Sequence, residues 1–387
     1  MTSKPRVLLV HPNMNPPSGA GCVAAWAAQA LQDDFALDIF SWTPARFDEI
    51  NRFYGTTLDA RRIKNFFPPA PLRGLFPLDL DPWRAQPTAM MMRYGKWIRK
   101  RYDRTLALWN EIDLGAPCLQ YVHYPYRSRM ERREKELRRR SPLLGFLYRN
   151  RPWRIISGFS WERMKQNITF VNSDWTGHCF TESYGAPTQT LYPPVSWSAP
   201  RVAWTERENG FVCIGRLSAE KKYQDIIAIL ADARARGHAL HLHIIGALRD
   251  ARMDSAYYQR VHALVQEHNA WVTLHENIAR HELEQLVAQQ RYGIHAYRQE
   301  HFGIAPAEMV RGGCIVFVPN DGGQVEIVGN EPHLRYDSHA DAVEKIVRVM
   351  EDARAQDDLR NALAARAELF SPERFVRELR GQVEKGS

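Results

Sequence analysis

Arg6-Val7-Leu8-Leu9-Val10-His11 is an apolar run of strand length, followed by a helical stretch at 21–31 and a second apolar run at 37–40. The same alternation returns at 119–122 and 168–172. Strands alternating with helical patterns predict a parallel α/β sheet, because parallel neighbours need a crossover long enough to hold a helix. The pattern breaks at Leu191-Tyr192-Pro193-Pro194-Val195, where paired prolines cannot continue a central strand. It restarts at 211–215, 224–234, 240–246, 271–274, 281–289, 293–296 and 314–319 as a second series of strands and helices.

The expected architecture is α/β, with two Rossmann-like domains at 1–195 and 210–365 joined by a linker at 196–209. A helical segment at 366–387 could cross back to the first domain. A chain of 387 residues, 44% of them hydrophobic, suits two cores better than one. Two such domains facing each other across a cleft place the carboxyl ends of strands there, where open α/β sheets bind ligands.

A charged share of 25% and an aromatic share of 11% describe a globular protein without low complexity or repeats. No apolar stretch reaches the roughly 18 to 20 residues needed to span a bilayer, and residues 1–5 are too short for a secretory leader. The expected location is cytoplasmic, with peripheral attachment to the inner face of the membrane as a variant. Cys22, Cys118, Cys179, Cys213 and Cys314 are odd in number and widely spaced, which indicates neither a disulfide framework nor zinc. They are expected to be buried thiols, with the His178-Cys179 pair at a packed helix position.

The net charge of +8 is concentrated in one place. Between Arg127 and Lys165 thirteen Lys or Arg face four Glu, a local charge of +9. Leu143, Leu144, Phe146, Leu147, Tyr148, Trp153, Ile155, Ile156, Phe159 and Trp161 are interleaved with these cations. That composition suits a segment lying on an anionic membrane, or alternatively a solvated helix packing one face on the domain.

Gly215-Arg216-Leu217-Ser218-Ala219-Glu220-Lys221 follows the first strand of the second series. Arg216 and Lys221, just past a strand end, can meet a diphosphate, one as a planar fork and one as a point charge. A solvated turn carrying two surface charges is the equal alternative. Further on stands Glu300-His301-Phe302-Gly303-Ile304-Ala305-Pro306-Ala307-Glu308. Gly303 allows close backbone approach and Pro306 suits a first helical turn, so a helix starts near Gly303 to Ala305, with Phe302, Gly303 and Ile304 as candidate donor-binding residues. Amides there favour a phosphate, while Glu300 and Glu308 could accept hydrogen bonds from sugar or ribose hydroxyls. For such a pair taken alone, two surface carboxylates is the commoner outcome. Asp321-Gly322-Gly323 could add backbone donors to the same pocket or be a tight turn. In the first domain Ser18-Gly19-Ala20-Gly21 opens a helix after the first strand; Gly19 and Gly21 could contact phosphate or acceptor, although a third glycine of the dinucleotide fingerprint is absent.

The segment from Glu300 to Glu308 resembles the Glu-x7-Glu signature of family-4 glycosyltransferases, and Gly215 to Lys221 resembles their Gly-Arg-Leu-x-x-x-Lys motif. Gly322-Gly323-Gln324-Val325-Glu326-Ile327-Val328 is similar to their Gly-Gly-x-x-Glu segment, in the expected order. Tyr121-Val122-His123-Tyr124-Pro125, Val171-Asn172-Ser173-Asp174-Trp175-Thr176 and Tyr192-Pro193-Pro194 look like segments of the α-1,2-mannosyltransferases that extend lipid-linked oligosaccharides. The resemblance implies a GT-B fold and a retaining hexosyltransferase with a nucleotide-sugar substrate, GDP-mannose or a UDP-sugar, and no cofactor. It implies a lipid-linked or glycan acceptor; the basic segment 127–165 gives an anionic membrane surface as the expected partner and, because its cations lie away from the phosphate motifs, no nucleic acid.

The resemblance also implies residue roles: Arg216 and Lys221 on the diphosphate, Glu300 on the sugar and Glu308 on the ribose. The ring or carbonyl of His123 would touch an outer sugar hydroxyl. Asp79-Leu80-Asp81 lies far from the donor motifs and is expected to be a turn, so Arg216, Lys221 and helix amides would replace a divalent ion. The rival readings are a basic nucleic-acid-binding protein, and a phosphorylase or hydrolase on the same fold.

Overall fold

The computed structural model describes residues 4–75, 86–149, 152–247 and 255–385. Asp79-Leu80-Asp81 lies outside the described residues. The chain divides into two compact units, Met1–Pro194 with Pro372–Ser387, and Val195–Ser371.

In the first unit seven parallel strands are ordered β3-β2-β1-β4-β5-β6-β7. They are β1 (Arg6–Val10), β2 (Ala36–Phe40), β3 (Lys64–Phe66), β4 (Arg104–Ala107), β5 (Leu119–Val122), β6 (Ile168–Val171) and β7 (Gln189–Thr190). Val7 to Val10 are all buried, as a central parallel strand covered on both faces requires. The helix Gly19–Leu31 is built largely from alanine and buries Ala24, Ala25, Ala27, Ala28 and Ala30, so other elements can approach it closely. One that does is the C-terminal helix Pro372–Lys385, which packs against it. Phe375, Leu379 and Val383 recur every fourth residue, fall on one face and join the core of β1 and β2.

In the second unit six parallel strands are ordered β10-β9-β8-β11-β12-β13. They are β8 (Glu208–Arg216), β9 (His241–Ala247), β10 (Val272–Glu276), β11 (Gln290–Ile294), β12 (Ile315–Pro319) and β13 (Arg335–Tyr336). Part of the stretch expected as a linker is ordered structure here: a 3-10 turn spans Trp204–Glu206 and β8 begins at Glu208. Each sheet reverses its direction of growth once, between β1 and β4 and between β8 and β11. Such reversals open a crevice at the carboxyl ends of the strands.

The segment from Arg127 to Lys165 forms four helices, Ser128–Arg140, Pro142–Arg149, Pro152–Ser157 and Trp161–Met164. Of its apolar residues, Trp153, Phe159 and Trp161 are core side chains, which corrects their assignment to a membrane-facing surface. Leu143, Leu144 and Ile155 are exposed. The cysteine expectation also needs correction. Cys118, Cys213 and Cys314 are buried, but Cys22 and Cys179 are only half-buried. His178 is no packed position: its side chain is 72% exposed and reaches Glu182 one helical turn on.

Candidate active site

At the reversal point of the second sheet β8 ends in Arg216, and β11 is followed directly by His295. A 3-10 turn, Ala219–Lys221, then brings Lys221 back over the strand ends. Its Nζ donates to Glu300 Oε2 at 2.8 Å, lies 3.5 Å from His295 Nε2 and 5.1 Å from the centre of the Tyr297 ring. Thus the two motif residues Lys221 and Glu300, far apart in sequence, form one ion pair. Arg216 stands apart from it, with its guanidinium on Glu220 and half of its side chain exposed.

The hydrogen bonds around His295 fix its tautomer. Gln324 donates both amide hydrogens, to the carbonyls of Tyr297 at 2.8 Å and Asp321 at 3.0 Å. Its Oε1 can then only accept, so His295 donates Nδ1–H to it at 2.7 Å and turns a bare Nε2 toward Lys221. Burial pushes the His295 pKa down to about 4, and the Lys221 ammonium adds to the effect, so the ring is neutral near pH 7. Burial would raise the Glu300 carboxyl, but the Lys221 ammonium beside it outweighs burial and holds the group below the usual carboxylate range. The site therefore keeps a fixed ammonium–carboxylate pair beside a neutral imidazole.

Glycines hold the main chain of Glu300 in place. Gly322 has φ +80°, and a Cβ there would collide with the Glu300 main chain. Gly323 donates its amide to the Glu300 carbonyl at 2.8 Å. This corrects the expectation that both glycines offer donors to a ligand, since one amide is used to position Glu300. Gly303, at φ +104°, precedes the helix Ile304–Arg311, whose start has no side-chain cap. The first-turn amides of Ile304 and Ala305 follow Phe302 and Gly303 directly, and a helix start without a side-chain cap suits an anion. Glu308, on the same helix, pairs with Arg280. Arg280 also donates from Nε to Glu284 at 2.7 Å and from Nη2 to the Ser196 carbonyl at 2.8 Å.

In the first unit His123 directly follows β5. Asn110, with φ +46°, accepts the amides of His123 at 2.9 Å and Tyr124 at 3.2 Å on its side-chain oxygen. Asn172 donates to the His123 carbonyl at 3.0 Å, which occupies one of that oxygen's two lone pairs, and the His123 ring packs on Tyr121 with 5.0 Å between ring centres. His11, at the end of β1, is 1% exposed and lies edge-on to Trp109. Burial, and then His123 nearby, push its pKa down to about 3. At the opening of the helix Gly19–Leu31 the Gly21 amide donates to the Ser18 hydroxyl at 3.2 Å. A Cβ on Gly21 would lie 2.8 Å from the Tyr54 hydroxyl, so packing and capping account for Gly21, and only the Gly19 end of the motif remains for a ligand.

Sequence reasoning missed His295, Arg280, Asn110 and His11 as site residues, and gave no individual role to Asn172 and Gln324, which stand inside the quoted segments. His11, Asn110, Asn172 and His295 each stand at or shortly after a strand end, which was the signal available.

Residues 199–369 match the family described as glycosyl transferases group 1. The GDP-Man:Man(3)GlcNAc(2)-PP-Dol alpha-1,2-mannosyltransferase of Candida glabrata is 24% identical over 224 residues, 53% of this chain and 43% of that protein. The protein of the same name from Mus musculus is 28% identical over 182 residues, 41% of this chain and 35% of that protein. The chain thus spans less than half the length of these curated relatives. Among solved structures, Anabaena HepE in complex with UDP and glucose has a TM-score of 0.67 at 14% identity, covering 98% of this chain and 100% of that one. WaaG, a glycosyltransferase involved in lipopolysaccharide biosynthesis, has a TM-score of 0.65 at 13% identity, covering 98% of this chain and 100% of that one. These likenesses establish the fold, the GT-B type with two Rossmann-like domains.

Proposed function

We propose that this chain, whose residues 199–369 match the glycosyl transferases group 1 family, transfers a sugar, mannose in the first reading, from a nucleoside diphosphate to a lipid-linked or glycan acceptor. The observation that carries the reading is the Lys221–Glu300 pair at the reversal point of the second sheet, a few residues before an uncapped helix start. A cation and free amides suit a diphosphate, and a carboxylate fixed beside them suits sugar hydroxyls. Arg216 joins Lys221 on the leaving diphosphate, Glu308 takes the ribose, and the ring or backbone carbonyl of His123 takes an outer hydroxyl of the sugar.

Transfer proceeds with retention and without a divalent ion. The acceptor oxygen bonds to the anomeric carbon on the face that the diphosphate leaves, the bond from that carbon to the phosphate oxygen breaks, and a leaving phosphate oxygen takes the acceptor proton. Lys221 and Arg216 offset the charge that develops on the diphosphate. The curated relatives are named for GDP-mannose, and HepE was solved with UDP, so a UDP-sugar is the second reading.

The test is a thermal-shift panel of GDP-mannose, UDP-glucose and UDP-N-acetylglucosamine. At about 100 times its dissociation constant the true donor stabilises the native state by roughly 2.7 kcal/mol. Stabilisation by none of them overturns the reading. With the donor known, the anomeric configuration of the product, read by NMR, tests retention, and unchanged turnover in excess EDTA tests independence from metal.

A further inference from the structure

Arg216 is the last residue of its strand, and Lys221 and Glu300 sit beyond the carboxyl ends of strands in the second sheet. At the opposite edge, where β8 and β12 begin, lies a separate cavity of about 220 Å³. Arg201, Arg207, Arg311 and Arg360 line it together with Trp197 and Trp204, and no carboxylate does. Four guanidinium groups around one small space repel each other, and no residue lining that space is an anion.

The most deeply placed of the four is Arg207, which is 7% exposed. It donates to the carbonyls of Val202 at 3.2 Å, Gln290 at 3.1 Å and Gly312 at 2.8 Å, so its hydrogen bonds go to neutral groups and its charge has no anionic partner there. Arg311 donates from Nη1 to the Ala367 carbonyl at 3.0 Å, while its buried Nε–H has no partner among the described residues. Arg360 lies over the Trp204 ring at 4.7 Å and pairs with Asp357, which does not line the cavity. The backbone makes room for this arrangement. A Cβ on Gly313, at φ +85°, would lie 2.6 Å from Arg207 Nη2, and one on Gly312 would lie 2.8 Å from the Trp197 ring.

We propose that this cavity is a second ligand site, which takes phosphate, free or as a small phosphate monoester. Guanidinium forks match phosphate oxygens two at a time, and a buried charge without a counter-ion gains most from one. The indoles of Trp197 and Trp204 give the remainder of a monoester an apolar surface to rest on.

Calorimetric titration of the full chain at low ionic strength tests the site, with inorganic phosphate in one arm and mannose 6-phosphate in the other. We expect one saturable site per chain. Arg201→Ala and Arg360→Ala, both changes of side chains near the surface, should each weaken binding by about tenfold, the loss of one charge-assisted contact. Lys221→Ala, at the other edge of the sheet, should leave it unchanged. Tighter binding of the sugar phosphate identifies a monoester as the ligand, and equal or tighter binding of inorganic phosphate identifies the free ion. The proposal is overturned by an absence of saturable binding in both arms, by unchanged affinity in both arginine variants, or by a loss confined to Lys221→Ala. None of these outcomes depends on which nucleotide sugar the donor site accepts.

Discussion

Lys221 is held from three directions, by Glu300, His295 and the Tyr297 ring, with 14% of its side chain exposed. A cation fixed in this way needs no rearrangement when charge develops on a leaving diphosphate, so its removal should act on the rate more than on the fold. Lys221→Ala is expected to lower turnover by about 10² to 10³. Arg216→Ala should act in the same direction, and because that side chain is half exposed its thermal melt should match wild type. Turnover near wild type in both variants would remove them from the diphosphate. The two glutamates should separate in a different assay. Glu308→Gln weakens binding of the free nucleotide, while Glu300→Gln leaves binding nearly intact and impairs transfer; calorimetry alongside turnover gives the ordering. Lys221, Glu300 and Glu308 were singled out in the sequence by the resemblance of their motifs, since their positions after strand ends alone suited surface charges equally or better. Their partners were not. His295 and Arg280 reach them sideways, from a neighbouring strand end and a separate helix, and spacing along one motif carries no information about such neighbours.

The helix Pro372–Lys385 shows what an element can and cannot reveal before its partner is known. Its apolar residues fall at helical spacing, so its amphipathic character is visible in the sequence, but the face that receives it is the alanine-rich surface of Gly19–Leu31, more than three hundred residues earlier. Leu379 is fully buried there. Leu379→Ala should therefore destabilise the first unit by about 2 to 5 kcal/mol, the usual range for truncating a buried leucine. Denaturant unfolding followed through probes in each unit checks this, with the second unit's transition expected to stay in place. The helix Ser128–Arg140 supports a different kind of expectation. It ends in Arg138, Arg139 and Arg140, and the helix after it exposes Leu143 and Leu144. Replacing the three arginines by Glu should release the protein from anionic vesicles, since each basic residue near such a surface contributes about 1 kcal/mol. Co-sedimentation decides it, and equal binding by wild type and variant would leave the segment as a solvated face.

Across the whole molecule each unit carries a neutral histidine buried past a central strand, His11 in the first and His295 in the second, both 1% exposed. The paired parallel sheets were legible from alternating apolar runs, whereas these histidines looked like ordinary strand-end residues until their burial was known. Their consequence is a shared sensitivity to acid. Burial lowers the pKa from 6.5 to about 3 for His11 and to about 4 for His295. As the pH drops below about 6.5 the unfolded chain takes up protons at both positions, while the native rings stay neutral. Stability therefore falls with decreasing pH in each unit, with a limiting slope on the order of 1.4 kcal/mol per pH unit for each ring, until the native rings protonate. Glu300 does not offset this loss. Its carboxyl is held low, so its contribution persists through the window and disappears only as the pH falls further, through its native pKa. Unfolding free energies measured from pH 7 down to 4.5 should decline for both units, and His295→Gln should make the second unit's decline shallower without removing it, because burial also pushes His243 there down to about 4, while the first unit's decline stays as it was. The readout is the slope rather than the stability itself, so a cost of the substitution at neutral pH does not obscure the result. A flat wild-type profile would contradict neutral buried rings in both sheets.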